Sequence, residues 1–148
     1  MMKVFLMFVL LISVLVSAQL NLGGVDVPKE SCWVYIFIGH SNMSGRAPKC
    51  DTVTNPMLWN YALHTAPQGW RLAKESMYID RTVNAGLYSG PGMKFLNRMN
   101  QNFPKHHFCL FLNGEGRATA SAYVNNQSVS GHKLYEEIMT PLKSLVKG

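Results

Sequence analysis

The chain has 148 residues, 47% of them hydrophobic and 15% charged, with a formal net charge of +6. That is enough apolar material for one domain with its own core. The basic residues are scattered, at Lys29, Lys49, Arg71, Lys74, Arg81, Lys94 and Arg98 among others, with no dense run to track a phosphate backbone. The charge therefore fits solubility and loose attraction to acidic polysaccharide, and argues against a nucleic-acid partner.

Lys3 precedes an uncharged run from Val4 to Val16, and Val16-Ser17-Ala18 supplies small residues where a signal peptidase reads. The pattern predicts a signal peptide over residues 1–18 and one domain over 19–148, in a secreted, periplasmic or extracellular protein. A retained anchor is the alternative, but the apolar run is shorter than the roughly 20 residues that span a bilayer, so no stable membrane insertion is expected after cleavage.

Gln19 to Ser31, with Gly23-Gly24 and Pro28, reads as an extended lead-in. Trp33-Val34-Tyr35-Ile36-Phe37-Ile38 follows, an unbroken apolar run rich in aromatic and β-branched residues, which predicts a strand buried on both faces in a parallel sheet. Gly39 and small polar residues end it. Ser41 is thereby placed at the C-terminal tip, where open α/β sheets bind ligands and where a nucleophile has a use.

From Arg46 to Leu87 the text is irregular, broken by Pro48, Pro56, Pro67 and Gly69, with Trp59, Tyr61 and Trp70 as large anchors. Gly92 to Asn102 predicts a helix with Met93, Leu96 and Met99 or Asn100 near one face, ended by Phe103-Pro104. Phe108 to Leu112 predicts a second strand, parallel to the first through a right-handed crossover. A last helix is predicted over His132 to Val146, with Leu134, Ile138, Leu142 and Leu145 on one face, Tyr135 and Met139 widening it, and Pro141 kinking or splitting it near Thr140.

Three cysteines leave one unpaired in any intramolecular scheme. A Cys32–Cys50 bridge would pin the Ser41 loop, leaving Cys109 as a buried free thiol. No spacing resembles a zinc site, His106-His107 reads as solvated loop, and no metal, nucleotide or redox cofactor is implied.

The segment Gly39-His40-Ser41-Asn42-Met43 resembles the first block of the SGNH hydrolases, in the branch of sialate O-acetylesterases and acetyl xylan esterases, whose usual form is Gly-Gln-Ser-Asn-Met. Here His40 replaces the Gln. Tyr88-Ser89-Gly90-Pro91-Gly92-Met93-Lys94-Phe95 is similar to that branch's Gly-Pro-Gly segment at the start of a helix, and Leu134-Tyr135-Glu136-Glu137 to the Leu-Tyr start of a later one. The resemblance implies a flavodoxin-like three-layer α/β/α fold, incomplete because the third block and the final Asp/His block have no counterpart before Gly148. A sheet cut in this way would expose an edge that invites self-association.

The resemblance also implies roles. Ser41 would be nucleophile and would lend its N–H to the oxyanion, with a second N–H from Gly116, which fits when Tyr123 is laid on the family's aromatic position; Gly114 is the alternative donor, and Arg117 stands where the family usually has a second Gly. Trp59, Trp70 and Arg117 would touch an acetylated carbohydrate. No histidine lies in an Asp-x-x-His arrangement. His40 adjoins Ser41, and neighbouring side chains on extended backbone point to opposite faces, so it is expected to be poorly placed as a base; His64 is the one surrogate considered. Three readings follow: a carbohydrate O-acetyl esterase that is weak or inactive alone, a non-catalytic secreted glycan-binding protein, or a degenerate esterase-derived product with no function of its own.

Overall fold

The computed structural model describes residues 18–45, 47–48, 54–63, 67–75, 77, 88–115, 118–129 and 132–147. The proposed signal segment lies outside them except for Ala18.

Four strands form the main sheet: β3 (Cys32–Gly39), β5 (Leu58–Ala62), β6 (Gly69–Leu72) and β8 (His107–Gly114), in the order β3-β8-β5-β6. β8 runs parallel to β3 along its whole length, from Cys32 opposite His107 to Gly39 opposite Gly114, as the crossover predicted. On its other side β8 is parallel to β5, with Leu58 opposite Phe108 and Asn60 opposite Leu110. β6 is antiparallel to β5, so the sheet is mixed rather than purely parallel. The irregular stretch before Leu87 thus contributes two strands to this sheet that proline and glycine spacing conceals.

The sequence expectation for β3 is corrected by its position at the edge of the sheet that the described residues form. Trp33, Tyr35 and Phe37 pack under the helix α2 (Pro91–Asn102), whereas Val34, Ile36 and Ile38 alternate to the other face and are 39%, 42% and 45% exposed. The strand buried on both faces is β8. Its Phe108, Leu110 and Leu112 meet Met93 and Leu96 of α2, while Cys109 and Phe111 meet Trp59, Trp70 and the β1–β2 hairpin on the opposite side. That hairpin, β1 (Gln19–Leu22) with β2 (Val25–Pro28), replaces the expected extended lead-in and seats Leu20, Leu22 and Val27 in the core.

Helix α2 begins as the sequence suggests. Gly90 is its extended N-cap and Pro91 occupies the first turn, where a missing N–H costs nothing. A Cβ at Gly92 would lie 3.0 Å from both Leu110 Cδ2 and Met77 Sδ, so glycine lets the helix sit close on β8. The last helix, α4 (Leu134–Lys147), follows a short α3 (Ala120–Val124) and the small β9–β10 ladder (Ser128–Val129 with His132–Lys133). Leu134 and Ile138 are buried, and Leu142 and Leu145 reach the hairpin-side core. The predicted split at Pro141 does not occur; the helix runs through it, held beyond the proline by those two leucines. Tyr135 is 44% exposed and does not widen the apolar face.

Layers of helix α2, sheet, and helix α4 with the hairpin give the α/β/α arrangement. No helix among the described residues is long and apolar enough to cross a membrane.

Candidate active site

The chain leaves β3 at Gly39 and turns at once into α1 (Ser41–Ser44), a single helical turn whose extended N-cap is His40. Met43 N–H donates to His40 O at 2.8 Å and Gly45 N–H to Ser41 O at 3.2 Å, closing the turn. Ser41 is 9% exposed at its start. The change from strand to helix overturns the expectation for His40: alternation of side chains holds only while backbone stays extended, and here the imidazole Nδ1 lies 2.8 Å from Ser41 Oγ.

Two glycines allow this turn to press against the start of α2. Gly45 has φ +114°, a left-handed conformation that a side chain would strain, and a Cβ there would lie 2.7 Å from the Ser89 carbonyl carbon. A Cβ on Gly90 would lie 2.7 Å from Met43 O. Backbone thus meets backbone across the gap, beside the short ladder between β4 (Ala47–Pro48) and β7 (Tyr88–Ser89). The Gly-Pro-Gly motif thus serves the serine turn as well as the helix.

The tips of β3 and β8 are joined by Tyr123 of α3. Its hydroxyl donates toward Asn113 O at 2.8 Å and Gly39 O at 3.0 Å, and Gly39 N–H points back at it from 3.4 Å. Glu115 N–H also donates to Gly39 O, at 3.0 Å. Asn113 is fully buried; its Nδ2 donates to Glu137 Oε2 at 3.3 Å, while its Oδ1 is buried without a hydrogen-bond partner among the described residues. In the sequence Tyr123 serves only to align the oxyanion glycine, and nothing local marks Asn113 and Glu137, whose nearness depends on α4 folding back onto β8.

The remaining predicted residues divide. Gly114 ends β8 opposite Gly39 and stays close to the serine turn. Gly116, Arg117, Cys50 and His64 lie outside the described residues. Trp59 and Trp70 are corrected from sugar-stacking platforms to core residues, 5% and 8% exposed. Trp59 donates its indole N–H to His107 Nδ1 at 3.3 Å, and Trp70 packs against Tyr61 and Phe111. Trp70 also lines, with Asn21, Gln68 and Arg71, an open cavity of about 610 Å³ beside the β5–β6 turn.

The expected Cys32–Cys50 bridge is likewise corrected. Cys32 is a free thiol. It lies on the sheet face that carries Cys109, one register step away on the neighbouring strand. The influence of Cys109 pulls the Cys32 thiol down, whereas Cys32 and then burial push Cys109 far up, so Cys109 is the inert member. Among the described residues no group of three or more His, Cys, Asp or Glu side chains is placed to hold a metal ion.

Residues 31–148 match the family described as carbohydrate esterase, sialic acid-specific acetylesterase. The chain belongs to this acetylesterase family. The match begins just before β3 and takes in every element that builds the serine turn, leaving the β1–β2 hairpin outside it. A protein from Arabidopsis thaliana, whose X-ray structure was determined at 1.6 Å, has a similar fold at TM-score 0.54 and 17% identity over 77% of this chain. This chain spans 51% of that structure's length. No curated protein matches it.

Proposed function

We propose that this acetylesterase-family chain hydrolyses O-acetyl esters of carbohydrates, with Ser41 as nucleophile. The observation that carries the reading is the position of Ser41: at the start of a helical turn on a strand tip, with its Oγ 2.8 Å from an imidazole nitrogen. In this reading Ser41 Oγ attacks the acetyl carbonyl, and the oxygen that gains charge is held by Ser41 N–H with an N–H from the Gly114–Gly116 segment. Acetyl-Ser41 is then hydrolysed by water. The tryptophans, 5% and 8% exposed, offer little surface on which a sugar could stack, which weakens the reading as a purely glycan-binding protein.

We place the protein outside the cytoplasm on the strength of its N-terminal segment; an intact mass showing cleavage after Ala18 in exported protein is the expected result. The proposed activity is tested by acetate release from p-nitrophenyl acetate and from acetylated sialic acid and xylan, comparing the purified full chain with Ser41→Ala. Loss of release in the variant supports the reading, and equal rates refute it. The sugar released fastest names the substrate class.

A further inference from the structure

We infer that His40 is the general base for Ser41, so that nucleophile and base are consecutive residues. The inference rests on the proposed esterase reading and adds to it the proton acceptor.

Three observations carry it. The Nδ1 atom of His40 is 2.8 Å from Ser41 Oγ, within the range a proton-transfer pair requires. His40 occupies the N-cap position of α1 on extended backbone, immediately before the helical Ser41, without a side-chain cap bond. His40 is exposed while Ser41 is buried. A base in that arrangement can exchange its proton with water while the nucleophile stays within the fold.

The step balances within this pair and the substrate. With its own proton on Nε2, neutral His40 presents the Nδ1 lone pair to the serine hydroxyl. As the Ser41 Oγ–carbon bond forms, the hydroxyl proton moves to Nδ1 and the carbonyl π electrons move to oxygen. Collapse of the tetrahedral species breaks the bond to the sugar oxygen, which takes the proton from the His40 imidazolium and leaves as alcohol. Water then attacks acetyl-Ser41, gives a proton to Nδ1, and acetate leaves as that proton returns to Ser41 Oγ. One ester and one water become one alcohol and one acetic acid.

The usual Gln at this position can hydrogen-bond to a serine but cannot take its proton at neutral pH, which makes His40→Gln the informative variant. The full chain, His40→Gln, His40→Ala and Ser41→Ala are compared by p-nitrophenyl acetate hydrolysis and by the rate at which a fluorophosphonate adds to Ser41, read by intact mass. Both His40 variants are expected to lose about 100-fold in each rate, the lower end of what a positioned base supplies. Free imidazole is expected to restore labelling in His40→Ala and to leave Ser41→Ala unlabelled. Unchanged thermal unfolding in the His40 variants shows that the loss is not one of folding.

His40→Gln hydrolysing and labelling at the wild-type rate, with Ser41→Ala inactive, overturns the base and leaves the esterase reading standing. Ser41→Ala hydrolysing like wild type overturns both. A folded wild-type chain that neither hydrolyses nor labels also overturns the base.

Discussion

Replacing Tyr123 by Phe removes one oxygen from the joint between the strand tips and leaves the ring's packing intact. A hydroxyl has one proton to give, so Tyr123 makes one strong donation at a time, shared between Asn113 O at 2.8 Å and Gly39 O at 3.0 Å. Gly39 O keeps a donor in Glu115 N–H after the change. Asn113 O is therefore the group that loses most, and it sits in a residue with no exposed surface. Withdrawing a donor from a buried acceptor costs about 1–3 kcal/mol, and the 3.4 Å contact from Gly39 N–H is too long to add much. We expect about 2 kcal/mol of lost stability. With an m-value of about 2 kcal/mol/M for a domain this size, the urea midpoint should fall by about 1 M at unchanged slope. Equilibrium unfolding followed by tryptophan fluorescence measures this directly, since Trp59 and Trp70 are buried. A midpoint shift below about 0.2 M would refute the claim that this hydroxyl ties β3 to β8.

Three further outcomes follow from the same geometry. Gly45→Ala should cost about 2–4 kcal/mol, because it combines a left-handed backbone with a Cβ driven onto the Ser89 carbonyl, and thermal unfolding at the wild-type temperature would contradict that account. Burial lowers His107 below its ordinary 6.5, so the unfolded chain takes up the proton first; this residue's contribution is complete above about pH 6.5 and is lost as pH falls toward the folded-state value. The melting temperature of wild type should therefore drop more than that of His107→Gln between about pH 7.5 and about pH 5.5, and equal drops would refute the assignment. Ile36→Lys, on the half-exposed stripe of β3, should change stability by less than about 0.5 kcal/mol while reducing self-association in sedimentation, and a wild-type chain that stays monomeric at all concentrations would show that this edge is not used.

What was legible in the sequence was local. The apolar runs at Trp33–Ile38 and Phe108–Leu112, the Pro91 start and Phe103 end of α2, and the spacing of Leu134, Ile138, Leu142 and Leu145 all report contacts that a residue's own periodicity specifies. What was hidden depends on partners distant in sequence. Which of two similar apolar runs becomes the central strand is set by where β5 docks, and β5 is five residues in a stretch full of turn-formers. Cys32 shares a sheet face with Cys109 through strand register alone. The tryptophans look like surface platforms until the β1–β2 hairpin covers them. In the site, Ser41 was found from its motif, whereas His40 was set aside by applying strand alternation one residue past the end of the strand.

That last point bears on how the site is built. The His40–Ser41 contact spans one peptide bond, so its geometry is fixed by the backbone from Gly39 to Gly45 and by whatever holds that backbone. It is held at both ends: by Tyr123 and Glu115 N–H at the strand end, and by the backbone contact of Gly45 and Gly90 at the helix end. A base drawn from a remote loop would require the whole sheet to be in register before serine could be activated. A base adjacent in sequence requires only this turn, so Ser41 reactivity should follow the integrity of residues 39–45 more closely than global stability. Variants that loosen the turn, such as Gly45→Ala and Tyr123→Phe, should therefore slow fluorophosphonate labelling even under conditions where the chain remains folded, whereas an equally destabilising core change at Leu20 or Val27 in the hairpin should leave labelling of the folded protein unchanged.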